Sequence, residues 1–217
     1  GVWFMLQPVH WHVARDHLVL TDPRQLGLDE PASRALFEAV QPLFEELGYT
    51  LQFGDARHWF VRADAWHNLR TTTPNAATGH NVEVWLPTGE HARDWRKLHN
   101  EVQMLWHNHP LNEAREANGQ ARVNALWLWG GANPQQALAR NPAQVLDESL
   151  LPHALADDWG RWLMAMQEIE RTQIVPLLHQ LQNKSIDSLT LQLTDAECVR
   201  QWRATPLSLR KFWRKPS

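Results

Sequence analysis

Val123 to Trp129 constrains the fold more than any other run in the chain. VNALWLW is apolar almost without interruption, the pattern of a central strand covered on both faces. Gly130 and Gly131 follow it and let the backbone turn tightly at its carboxyl end. Upstream, Trp95, Leu98, Val102, Leu105 and Trp106 recur at helical spacing and predict an amphipathic helix starting near Glu90. His109 precedes Pro110, which disfavours helical backbone there and ends that helix. Pro110 then opens a short second helix that closes at Asn118-Gly119. A strand covered on each face needs a layer on either side. The expected fold is therefore α/β: a single mixed-sheet domain over residues 1–217, with helices packed on the sheet and hairpins near the N-terminus. In open α/β sheets ligands collect at the carboxyl ends of the strands.

The remaining chain fills in that plan. Val9–Ala14 and His17–Leu20 read as a hairpin through Arg15-Asp16. Pro31 to Leu47 is a helix, with Pro near its start and Gly48 after its end. Tyr49–Phe53 and His58–Arg62 read as a second hairpin around Gly54-Asp55. Asn68 to His80 is polar and rich in helix breakers, an expected exposed loop, and Val82–Leu86 follows as a short strand or extended arm. Trp159 to about Thr172 is amphipathic, Pro176 starts or kinks a further helix through Leu181, and Ser188–Leu193 alternates as a half-buried strand. A basic aromatic tail over residues 200–217 closes the chain.

The 217 residues suffice to bury a sizeable core. A hydrophobic content of 43% with 21% charged residues is that of a soluble globular protein. Thirteen tryptophans are unusual; each is a large apolar body whose ring N–H needs a partner. The formal charge of −3 hides an asymmetry. No acidic residue follows Glu197, while Arg200, Arg203, Arg210, Lys211, Arg214 and Lys215 are all basic, so the preceding body carries −9. Attraction to that body is the expected fate of the tail, and nucleic acid is not the expected partner. The single cysteine, Cys198, fits a reducing compartment. No secretory leader and no apolar run of membrane-spanning length is found. The expectation is a cytoplasmic protein without a membrane span, whose natural start need not be Gly1.

Phosphate-binding P-loops, dinucleotide-binding glycine motifs, zinc-protease motifs and the serine-hydrolase elbow are all lacking. His10 and His12 share one face of a strand, but a lone His-x-His pair is more often packing than a metal site. No metal and no cofactor is expected. The polar groups with chemical potential gather at the element junctions: His107, His109, Asn112, Arg115 and Asn124, with Gly130 and Gly131. Arg offers a bidentate fork to carboxylate or phosphate, Asn offers amide donors, and the helix start at Pro110 offers free N–H groups. They are the candidate ligand-binding residues. The competing reading has Asn112 and Asn124 satisfying buried backbone groups while Arg115 pairs with Glu101 or another acid.

HNEVQMLWHNHPLNEAREANG followed by VNALWLWGG resembles the RpfE-type regulatory proteins of proteobacteria, and the likeness runs from Pro8-Val9-His10 to the Trp- and Arg-rich end. That family is often labelled phosphoglycerate mutase. His109-Pro110-x-Asn112-x-x-Arg115, Asn124 and Gly130 are similar to a short segment of the archaeal-type cofactor-independent phosphoglycerate mutases. In that pattern an Arg stands where this chain has Trp129, and a Gly where it has Ala132. The mutase metal centre and nucleophile have no recognisable counterpart, and phosphomutase chemistry needs them. The resemblance thus implies a non-enzymatic regulatory or ligand-sensing protein that binds a small phosphorylated or carboxylated metabolite. The alternatives are a mutase-related enzyme, with His107 or His109 as acid or base, and an adaptor that docks a protein partner through the basic tail.

Overall fold

The structure, a computed structural model, describes residues 1–136, 141–194 and 198–206. Its internal contacts gather in two units, Gly1–Arg140 and Asn141–Ser217. The α/β class is realised, with helices packed on sheet and hairpins near the N-terminus.

In the first unit β1 (Trp3–Val9) precedes the hairpin of β2 (Trp11–Ala14) and β3 (His17–Leu20). Helix α1 (Glu30–Glu46) starts where Asp29 accepts a bond from the Ala32 N–H and Pro31 needs no acceptor. It stops at Gly48, whose φ of +77° suits a residue without a side chain. Strands β4 (Thr50–Phe53) and β5 (Trp59–Arg62) form the second hairpin. Then come the short α2 (Pro74–Ala77), α3 (Ala92–His107), α4 (Pro110–Ala117) and β6 (Ala125–Ala132).

The main sheet has the order β4-β5-β1-β6, and every ladder in it is antiparallel. A single-residue parallel bridge joins Leu20 and Thr78. Here the expectation for Val123–Trp129 needs correcting. β6 lies at the edge of the sheet, not in its middle, and its apolar character comes from two separate layers. Leu126 and Leu128 join the main core with Phe4 and Leu6 of β1, Leu36, Val40 and Phe44 of α1, and Trp95, Leu98, Val102 and Trp106 of α3. Ala125 and Trp127 face a second cluster with Val9, Trp11, Leu20, Ala77 and Val82, against which Trp129 also packs. Trp127 and Trp129 therefore share a side, as the period of a strand requires. Because the sheet is antiparallel, the rule that ligands gather at parallel strand ends does not apply to it.

The second cluster also corrects the reading of the polar segment between Asn68 and His80. Pro74, Ala77 and Thr78 are buried, and the Thr72 carbonyl accepts the Trp127 ring N–H at 2.8 Å. Breaker residues made this a short helix that covers β6. Val82–Val84 is a 3₁₀ turn and not a strand. In α3 the stripe is Trp95, Leu98, His99, Val102 and Trp106, while Leu105 is 41% exposed. Several tryptophan N–H groups find their partners inside: Trp59 donates to the Ser33 hydroxyl at 3.1 Å and Trp106 to the Leu36 carbonyl at 3.3 Å.

The second unit holds α5 (Leu151–Leu155), α6 (Trp159–Ile169), α7 (Val175–Gln182) and a hairpin of β7 (Leu189–Thr194) with β8 (Val199–Ala204). A π turn over Glu170–Ile174 connects α6 to α7 without a break. Pro176, expected to start or kink a helix, sits just past that wider turn, which suits a residue lacking an N–H to donate. The strand expected to be half-buried is largely exposed. The first part of the expected tail is β8, and residues 207–217, on which the docking of the tail depends, lie outside the described residues. No helix of the described residues is long and apolar enough to cross a membrane.

Candidate functional site

The junctions around α4 are built as the spacing of prolines and glycines predicts. His109 is extended, at φ −72° and ψ 131°, and its Nδ1 accepts the Leu111 N–H at 3.2 Å, so the imidazole caps α4. Asn112 is fully buried one turn into the helix. Its Nδ2 donates to the carbonyls of Trp106 at 2.9 Å and Val123 at 2.8 Å, and its Oδ1 accepts the Val123 N–H at 2.8 Å. One amide thereby ties the end of α3 to the chain leading into β6.

Arg115 is 4% exposed. Its guanidinium donates to the carbonyls of Ala121 at 2.8 Å, Leu26 at 2.5 Å and, more weakly, Gly27 at 3.5 Å. Burial pulls its pKa down, and the nearby charge of Asp29 opposes that. Glu101, a candidate partner on sequence grounds, is exposed. Asn124 acts as a strand surrogate. Its Oδ1 accepts the Trp11 N–H and its Nδ2 donates to the Trp11 carbonyl, both at 2.8 Å, while its own N–H donates to Val9. These contacts extend the pairing of β1 with β6 past the end of the ladder.

A groove of about 300 Å³ opens beside this junction, lined by Gln103, Trp106, His107, Asn112, Arg122 and Asn124. Of the sequence candidates it gathers His107, Asn112 and Asn124. Arg115 is turned to the loop before α1, His109 caps its helix, and Gly130 and Gly131 lie at the far end of β6. Gly131 has a packing reason of its own: a Cβ there would come within 2.5 Å of the Phe4 ring.

Arg122 was not foreseen, although it stands two residues from Asn124. Its Nη1 donates to Glu116 at 2.7 Å, and its Nη2 donates to the His107 carbonyl. A guanidinium has five N–H donors, so these two bonds leave others for a ligand. The Arg122 carbonyl accepts the Nδ1 proton of His10 at 2.8 Å. Burial lowers the pKa of His10, the bond to the Arg122 carbonyl opposes that, and the positive fields of His12 and Arg115 add to the lowering. His10 and His12 stack at 6.4 Å between centroids. Among the described residues no group of three or more His, Cys, Asp or Glu is placed to hold a metal ion. The groove's described lining thus offers an anion the Arg122 guanidinium and the His107 imidazole, while the amides of Asn112, Asn124 and Gln103 donate to main-chain carbonyls.

No protein-family model matches the chain, and no curated protein matches it. Among solved structures, the cofactor-independent phosphoglycerate mutase from Thermoplasma acidophilum DSM 1728 is similar over 60% of this chain and 36% of its own, at 19% identity and a TM-score of 0.45. The aligned part is thus about a third of that enzyme's length. A likeness of that grade carries neither activity nor site from one chain to the other.

Proposed function

We propose that the chain is a regulatory or ligand-sensing protein whose groove between α3, α4 and the start of β6 binds a small phosphorylated or carboxylated metabolite. The observation that carries this reading is the donor-lined groove, in which Arg122 keeps N–H groups beyond those bound to Glu116 and the His107 carbonyl. His107 and Gln103 flank the anion, while Asn112 and Asn124 shape the floor. Binding is favoured over catalysis because Asn112 and Arg115, the residues shared with the mutase pattern, would have to abandon buried backbone partners to reach a substrate. The reading agrees with the resemblance to RpfE-type regulatory proteins.

Titration calorimetry with 3-phosphoglycerate and with inorganic phosphate tests it. The wild-type chain is expected to bind, and Arg122→Ala to weaken binding at least tenfold, about 1.4 kcal/mol, with an unchanged circular dichroism spectrum. Equal affinity in the variant would remove the groove from consideration. In a coupled mutase assay with added divalent metal no turnover is expected; a rate of even ~1 s⁻¹, low for an enzyme, would establish catalysis instead.

A further inference from the structure

Beside the groove stand two imidazoles that an anion alone leaves unused. Val9 and Ala125 face each other across β1 and β6, and with Trp11 they turn into the second apolar cluster. Side chains alternate along an extended chain, so His10 and Asn124 turn to the opposite side of the sheet, where α3 packs. Asn124 lines the groove there, and the 2.8 Å bond between His10 and the Arg122 carbonyl places that ring beside it. His12 follows two residues on, its ring stacked on that of His10 at 6.4 Å between centroids and 17° between planes. The two imidazoles form a row that leads away from Arg122.

Both rings are held by their Nδ1 atoms, His10 through the Arg122 carbonyl and His12 through the Thr21 hydroxyl at 3.2 Å. His10 is half-buried and His12 exposed. Burial lowers the pKa of His10 and outweighs the bond to the Arg122 carbonyl, so at neutral pH this ring is uncharged. It presents a flat π face and adds no positive charge to that of Arg122. A string of anionic groups would meet Arg122 and then an uncharged ring. A single anionic group joined to a planar heterocycle matches both parts, because nucleic-acid bases stack on imidazole and other aromatic faces. Rings already fixed in place lose little freedom on binding.

We propose that the groove binds a nucleoside monophosphate, with the phosphate at Arg122 and the base against the stacked rings of His10 and His12. This inference rests on the groove being an anion site and adds the class of metabolite that it takes. Phosphorylated compounds without a base, such as 3-phosphoglycerate, fill only the first part. Stacking tolerates any base, since every base has a π face, so purine and pyrimidine nucleotides are both accepted.

Titration calorimetry on the full-length chain with AMP, UMP, ribose 5-phosphate and pyrophosphate reads the result. AMP and UMP are each expected to bind at least tenfold more tightly than ribose 5-phosphate or pyrophosphate, a gain within the range of one stacked base. His12→Ala changes an exposed position and is expected to remove that gain while leaving the affinity for ribose 5-phosphate unchanged. His12→Phe, which keeps a flat face, is expected to retain it. Nucleotides that bind no better than ribose 5-phosphate would overturn the proposal and leave the anion site standing. Pyrophosphate binding more tightly than AMP would overturn it too, as would a His12→Ala chain that keeps the full preference for AMP. No binding of any of the four would remove the anion site itself, and this inference with it.

Discussion

Asn112→Ala is expected to lower the melting temperature of the chain by about 10 °C. The side chain is fully buried and its amide makes three bonds, all to main-chain groups. Truncation strands the Val123 N–H, the Val123 carbonyl and the Trp106 carbonyl away from water. Each unpaired group costs about 1–3 kcal/mol, and a total of roughly 4 kcal/mol allows for partial relaxation. Spread over a chain of this size, each kcal/mol moves the midpoint by about 2–4 °C. Asn112→Asp is expected to be at least as damaging. It keeps an acceptor for the Val123 N–H but turns an acceptor towards two carbonyls and buries a charge. Thermal unfolding of the ligand-free protein measures both. A change within the ~0.5 kcal/mol typical of surface substitutions would mean that Asn112 is free to serve a ligand.

Arg115→Ala belongs to the same experiment, because its guanidinium holds three carbonyls from two loops. A clear loss of stability is expected there too. Were Arg115 a clamp awaiting an anion, removing an unpaired buried charge would leave stability unchanged or raise it. The variant thus separates scaffold from site without any ligand being known.

Residue types and spacing disclose most of the local elements, because the signals for starting and stopping are themselves local. Pro31 and Gly48 bound α1, and His109, Pro110 and Gly119 bound α4. The position of β6 was not legible in the same way. Apolar residues on both faces of a strand report that both faces are covered, and an edge strand between two clusters satisfies that as well as a central one. Nor can spacing tell whom a donor serves. Asn112, Arg115 and Asn124 were recognisable as donors, but their partners are carbonyls contributed by segments up to 113 residues away. Arg122 went unnoticed because nothing in its neighbours distinguishes a groove-lining Arg from a surface one. In the second unit the alternation of Val199, Gln201 and Arg203 with Arg200, Trp202 and Ala204 was obscured by the density of charge, and β8 read as tail.

His99 is the residue from which the chain's acid sensitivity is expected to come. It lies on α3 where the two apolar clusters meet, 4% exposed, with its ring 4.7 Å from that of Trp11 and 5.7 Å from that of Trp95. Its Nε2 has no hydrogen-bond partner. Burial pushes its pKa from the ordinary 6.5 down to about 4. Tryptophan faces attract a cation, worth about 2 kcal/mol when desolvated, but removing an imidazolium from water outweighs that and the ring stays neutral. Above pH 6.5 neither the folded nor the unfolded chain protonates His99, so it gives stability no pH dependence. Between pH 6.5 and about 4 the unfolded chain takes up a proton that the folded one refuses, and stability falls as pH falls. A shift of that size amounts to roughly 3 kcal/mol, reached near pH 4 and growing no further below it. His10, also lowered by burial, acts in the same direction. Urea unfolding from pH 7.5 to 4 should therefore show a decline that His99→Gln makes shallower by about 3 kcal/mol across the window, whatever its stability at neutral pH. The slope, not the absolute stability, is the readout, so a merely structural loss would not imitate it. If the variant and the wild type decline in parallel, His99 takes up its proton equally in the folded and unfolded chains and the acid sensitivity lies elsewhere.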